Sequence, residues 1–186
     1  MKKTFLRFAV VAFMTGLLML VSAMPIFAAE RPGASRAVTV GMALDCVHIG
    51  PAAYAYAIAH GLCGAPRAQM SSQISGSVPD VSGDCGSSNL YFYSQNNGAW
   101  MTIRETAQSS QGPFVFVWWQ VNWNNVNTGR NGAVTGSQVV ATSSWAHNDS
   151  ALTQRGFVSG YMTGGIRLWW GATCTFLNPQ ASVLVT

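Results

Sequence analysis

Residues 113–123, Pro-Phe-Val-Phe-Val-Trp-Trp-Gln-Val-Asn-Trp, are the most hydrophobic run of the chain outside its N-terminus, and they limit its folds more than any other stretch. Read with the two-residue period of a β-strand, Val115, Val117, Trp119, Val121 and Trp123 share one face. Phe114, Phe116 and Trp118 share the other, which turns polar at Gln120 and Asn122. One face is apolar throughout and the other for its first half, so the pattern predicts a central strand covered on both sides by other β-structure. Gly112-Pro113 before it and Asn124-Asn125 after it are turn signals.

The segments around this strand read the same way. Ala37–Leu44 predicts a short strand, and Gly50–Gly61 a helix, with Pro51 at the first helical position, alanine dominant and Gly61 as a left-handed stop, although the strict alternation of alanine there also permits a strand. Residues 64–88, with Pro66, Pro79 and many Ser and Gly, read as loop. Leu90–Ser94 and Trp100–Thr106 flank Asn96-Asn97-Gly98, a strong hairpin signal. In the second of these strands Trp100, Thr102, Arg104 and Thr106 alternate with Met101, Ile103, Glu105 and Ala107. Asn124–Gly136 reads as a polar loop, and Ser137–Trp145, Gly156–Thr163, Ile166–Trp170, Thr173–Leu177 and Ala181–Val185 as further strands. Strands at intervals of about ten residues with Gly-rich turns predict a mainly β protein, an antiparallel β-sandwich or barrel with a short N-terminal helical segment.

The N-terminus has its own logic. A basic Met1–Arg7 precedes an apolar run from Phe8 to about Met24, and Ala28-Ala29 supplies the small residues of a cleavage site. The expected organisation is a signal peptide over 1–28, a mobile leader over 29–36 and a single secreted β-rich domain over 37–186, with no membrane association after cleavage. Lys2, Lys3 and Arg7 lie in the targeting segment. Beyond it, Arg31, Arg36, Arg67, Arg104, Arg130, Arg155 and Arg167 stand against Glu30, Asp45, Asp80, Asp84, Glu105 and Asp149, a net charge near +1. The basic character of the whole chain therefore belongs to its leader, and a nucleic-acid partner loses support.

Cys46, Cys63, Cys85 and Cys174 all fall in the exported part, and an even count in an oxidising compartment predicts two disulfides. Sequence proximity favours Cys46–Cys63 and Cys85–Cys174. Cys46 and Cys63 with His48 and His60 have zinc-ligand chemistry, but their spacing matches no standard finger, and no metal or other cofactor is expected. Asp84-Cys85-Gly86 superficially resembles the nucleophile loop of chymotrypsin-like cysteine proteases, which implies His48 or His60 as the base. That family places its nucleophile in the second of two barrels, whereas Cys85 precedes most of the strands. A glycosidase needs two carboxylates across a cleft, and the six acids show no spacing that selects a pair; no catalytic residue is assigned. Asn148-Asp149-Ser150 fits the N-glycosylation triplet.

The aromatics are the most distinctive feature: Trp100, Trp118, Trp119, Trp123, Trp145, Trp169 and Trp170, with Tyr91, Phe92 and Tyr93. Neighbours such as Trp118-Trp119 and Trp169-Trp170 must point to opposite faces of a strand. Some rings fill a core poor in Leu and Ile; others are left for a surface. Trp118, Trp123 and Trp169 beside Gln120, Asn122 and Arg167 offer flat apolar area for a sugar ring and donors for its hydroxyls. The expected function is a secreted, non-catalytic protein that binds a polysaccharide or cell-envelope surface. The alternatives are a secreted hydrolase and a self-associating structural or adhesion subunit.

Overall fold

Alternation of apolar and polar residues at period two runs through strand after strand, and a mostly β, antiparallel architecture results. The computed structural model describes residues 36–63, 84–95 and 98–186. They form β1 (Arg36–Ala37), β2 (Val40–Leu44), α1 (Pro51–Ala59), β3 (Gly86–Ser94), β4 (Trp100–Ser109), β5 (Phe114–Asn125), β6 (Asn131–Thr142), β7 (Ser144–Leu152), β8 (Gly156–Leu168), β9 (Thr173–Phe176) and β10 (Gln180–Val185). The signal-peptide expectation, residues 29–35 of the leader, the 64–83 loop and Asn96-Asn97 of the hairpin lie outside the described residues. Arg36, expected in the leader, opens β1 opposite Ser182.

The order is β1-β10-β8-β9-β2-β3-β4-β7, with β5 lying between β8 and β6. Strand β2 joins the two halves: Val40 and Gly41 pair with β3, whereas Met42 to Leu44 pair with β9. Among the described residues β6 has a ladder only with β5 and β7 only with β4, so the sheet is open there. The inner faces of the halves meet. Trp119 of β5 lies 4.8 Å, centroid to centroid, from both Trp145 and His147 of β7. A Cβ on Gly160 of β8 would stand 2.8 Å from the Phe92 ring of β3. Phe92, Phe114, Leu90, Met101, Ile103, Met162, Ile166 and Leu168 are fully buried between them, each contributing about 1.5–3 kcal/mol by leaving water.

Several expectations change: β3 already starts at Gly86, within the 64–88 stretch read as loop, and Trp169-Trp170 lie in a turn just beyond β8 rather than in a strand. The phase of β5 flips at a bulge between Phe114 and Phe116, so Phe114 is buried and Val115 exposed. Beyond the bulge Val117, Trp119, Val121 and Trp123 point inward, while Phe116, Trp118, Gln120 and Asn122 stay partly or fully open to solvent. The strand is therefore central but covered on one face only. Residues 131–136 are strand, not loop: β6 starts at Asn131, because Gly132 and Gly136 make room for rings rather than turns. Ser143, within one predicted strand, separates two, β6 and β7. Gly156–Leu168 is one strand through Gly164-Gly165, where two had been expected.

The helix spans Pro51–Ala59 with Pro51 in its first turn, and Gly61 takes φ +66° after it. It buries Ala53 and Ala57 and is tied to the chain by Cys46–Cys63, Cα–Cα 5.7 Å. The second disulfide, Cys85–Cys174, Cα–Cα 6.0 Å, links the start of β3 to β9. Two disulfides are compatible with an extracellular protein.

Candidate functional site

The outer face of β5 and β8 gathers much of the predicted site. Across the ladder Phe116 pairs with Arg167, Trp118 with Gly165, Gln120 with Thr163 and Asn122 with Tyr161. Directly opposite residues on one face stand about 4.5–5.5 Å apart at Cβ, so these eight form a continuous strip. The rings of Phe116 and Trp118 are 6.0 Å apart and within 25° of parallel. Gly165 explains where the indole lies: a Cβ there would sit 3.0 Å from Trp118 Cζ2, so the ring drapes over a position with no side chain. Gln120 Nε2 donates to Asn122 Oδ1 at 2.9 Å, which fixes both amides in one row. Arg167 is exposed at the end of the strip.

Trp169 stands just beyond β8, 55 % exposed, with its ring edge-on to Tyr56 of α1 at 5.9 Å. Its ring contact is therefore with the helix, two residues beyond Arg167, and not with the rings of the strip. Trp123 does not belong to the strip. Only 8 % exposed, it points inward and its ring fills the space above Gly132, where a Cβ would come within 2.5 Å of Cζ2. The period-two reading had placed Trp118 and Trp123 on opposite faces, and the structure keeps that separation; only Trp118 is at the surface. Phe116, Thr163 and Tyr161 join the strip without having been singled out, because only the β5–β8 register shows that they adjoin Trp118 and Asn122.

A second polar group lies inside. On the inner face of β4 and β7, Glu105 is directly opposite His147, and Asp149 is opposite Ile103 in the next row. His147 Nε2 lies 3.4 Å from Asp149 Oδ1, and Trp119 Nε1 donates to Asp149 Oδ2 at 3.3 Å. Trp145 Nε1 donates to Gln138 Oε1 at 3.0 Å. Glu105 is wholly buried and neither carboxyl oxygen has a hydrogen-bond partner among the described residues. Burial, and secondarily the charge of Asp149, pushes its carboxyl up to about 8. The sequence signal was the single acid in the otherwise apolar alternation Met101, Ile103, Glu105, Ala107.

The cysteine-based alternatives lose their chemistry. All four thiols are consumed in disulfides, so Cys85 has no thiolate to attack with, and Cys46 and Cys63 have none to offer zinc. His48 Nδ1 is instead 3.1 Å from Asp45 Oδ2, and His60 stacks on Tyr56 at 4.0 Å. The hydrogen bonds that Asp45 accepts from the turn, the backbone N–H of His48 foremost, hold its carboxyl below the usual range. No protein-family model, curated protein or solved structure matches this chain.

Proposed function

We propose that this is an exported, non-catalytic protein that binds polysaccharide on a cell envelope or in its surroundings through the outer face of β5 and β8. The observation that carries the reading is the Phe116–Trp118 pair, two near-parallel rings lying beside a row of fixed amides. Sugar rings present C–H faces that pack on aromatic area, and equatorial hydroxyls that need donors and acceptors in the plane around it. Gln120, Asn122, Thr163 and Tyr161 supply those groups, and Arg167 adds a guanidinium at one end. We read the two facing half-sheets as a β-sandwich, which presents such a strip rigidly. The signal-like N-terminus and the disulfides support export.

A hydrolase built on Glu105 and Asp149 is less well supported. Glu105 is fully buried, so a sugar cannot reach its carboxyl in this conformation. Depletion of the protein from solution by insoluble cellulose, chitin, peptidoglycan sacculi and polygalacturonate tests the binding reading. Retention on at least one, weakened on the order of tenfold by Trp118→Ala but unchanged by Tyr54→Ala on the helix, is the expected result. Equal retention of wild type and Trp118→Ala would remove the site.

A further inference from the structure

The half-sheet on the other side of the molecule has an outer face with a related inventory and a different charge logic. Its rows run across β3, β4 and β7: Tyr91–Arg104–Asn148, then Tyr93–Thr102–Ser150. The Tyr91 and Tyr93 rings are 6.2 Å apart and within 13° of parallel. Gln95 Nε2 bridges Thr102 Oγ1 at 2.9 Å and Ser150 Oγ at 3.3 Å, which orders the second row. Arg104 reaches Asn148 Oδ1 at 3.5 Å and, among the described residues, forms no ion pair.

The acids explain why that arginine matters. Of those described, Asp45 and Asp84 lie in turns, and Glu105 and Asp149 point inward from the same strands whose outer faces carry Arg104 and Asn148. The alternation that buries Glu105 thus leaves its neighbour Arg104 as the one charged side chain of the outer β3–β4–β7 face among the described residues. An exposed, planar guanidinium beside tyrosine rings is complementary to a sugar that carries a carboxylate: the fork takes both oxygens while the ring packs on the pyranose.

We infer that the outer face of β3, β4 and β7 is a second polysaccharide site, specific for acidic (uronate) sugars, with Arg104 holding the carboxylate and Tyr91 and Tyr93 the ring. The inner faces of the half-sheets pack together, so this site and the Trp118 strip point away from each other. A molecule with both sites bridges two chains of an acidic polysaccharide instead of coating one. The uronate site itself does not rest on the Trp118 strip, since the two faces share no residue; the bridging of two chains, and hence the clumping of beads, rests on both.

The test compares binding to polygalacturonate beads with binding to the fully methyl-esterified polymer, which has the same backbone without the charge. Wild type, Arg104→Gln, Arg104→Lys, Tyr91→Ala/Tyr93→Ala and Trp118→Ala are compared after circular dichroism confirms an unchanged fold. The expected result is about tenfold weaker binding to polygalacturonate for Arg104→Gln, an intermediate loss for Arg104→Lys, and little change on the ester. Wild type is also expected to clump the beads, and both Arg104→Gln and the tyrosine double variant to fail to do so. Absence of wild-type binding to polygalacturonate would overturn the inference. So would Arg104→Gln and the double variant binding and clumping as wild type does. Loss of binding confined to Trp118→Ala would likewise overturn it, while leaving the first site intact.

Discussion

Trp119 of β5 donates its indole N–H to Asp149 of β7, 3.3 Å away, and so ties together two strands that share no ladder. Asp149 thus has a donor within reach, next to Glu105, whose carboxyl oxygens have no hydrogen-bond partner among the described residues. The two acids adjoin each other on adjacent strands and meet opposite fates: one solvated and hydrogen-bonded, the other buried and held protonated near neutral pH.

A pH dependence follows from that contrast. The ordinary carboxyl value for Glu105 is 4.5, and in the fold it rises to about 8. Between these values the folded state holds a proton that the unfolded chain releases. The stability Glu105 permits is therefore fully present below about pH 4.5 and falls as pH rises to about 8, at up to about 1.4 kcal/mol per pH unit. Glu105→Gln, neutral at every pH, is expected to remove this slope and to be more stable than wild type at pH 9. Urea unfolding of both proteins from pH 5 to 9 checks it; parallel curves would refute it.

The glycines of β6 act as seats for tryptophan. A Cβ at Gly136 would lie 2.3 Å from Trp119 Cζ2, against a ring that is itself fixed by Asp149. Gly136→Ala is expected to destabilise the fold by about 1–3 kcal/mol and to shift tryptophan emission to the red, as overpacking displaces the ring. The urea midpoint and the emission maximum read the two effects separately.

Asn125 anchors the β5–β6 connection with both ends of its amide. Nδ2 donates to the carbonyls of Thr153, Gln154 and Arg155 at 2.9–3.1 Å, and Oδ1 accepts from the N–H groups of Asn127 and Thr128 at 3.0 and 3.2 Å. Asn125→Asp keeps the shape but turns a donor into an acceptor facing three carbonyls. It is expected to cost at least as much as Asn125→Ala, on the order of 2–4 kcal/mol. A smaller loss for the aspartate, measured by thermal unfolding, would contradict this assignment.

The disulfides differ in the loop they close. Cys46–Cys63 spans 17 residues and Cys85–Cys174 spans 89. Loop-closure entropy gives about 3 kcal/mol for the first and about 4.6 kcal/mol for the second. The Cys85→Ala/Cys174→Ala protein is expected to melt below the Cys46→Ala/Cys63→Ala protein, the more so because Cys85 and Cys174 are fully buried.

Much of this architecture was legible in the chain because burial on one face writes period two directly into the sequence. The strands read at Trp100–Thr106 and Ala181–Val185, which run over Trp100–Ser109 and Gln180–Val185, the Pro51 start of the helix and the even cysteine count are cases in point. What escaped was set by cross-strand geometry. The bulge at Phe114–Phe116 reverses a face with no change in local composition. Gly132 and Gly136 look like turn residues until the tryptophans opposite them are known. Gly164-Gly165 looks like a break but lets Trp118 lie flat. Trp118, Gln120 and Asn122 share a face by period two, which already sets Trp123 apart; that Arg167 adjoins them depends on the β5–β8 register.

Chemical footprinting of the tryptophans tests the central claim most directly. The protein is oxidised with N-bromosuccinimide, free and saturated with a polysaccharide that retains it, and each tryptophan is quantified by mass spectrometry. Trp118 is expected to be modified in the free protein and protected severalfold in the complex, while Trp119 and Trp123, 5 % and 8 % exposed, react slowly in both. Equal oxidation of Trp118 with and without bound polysaccharide would contradict the account.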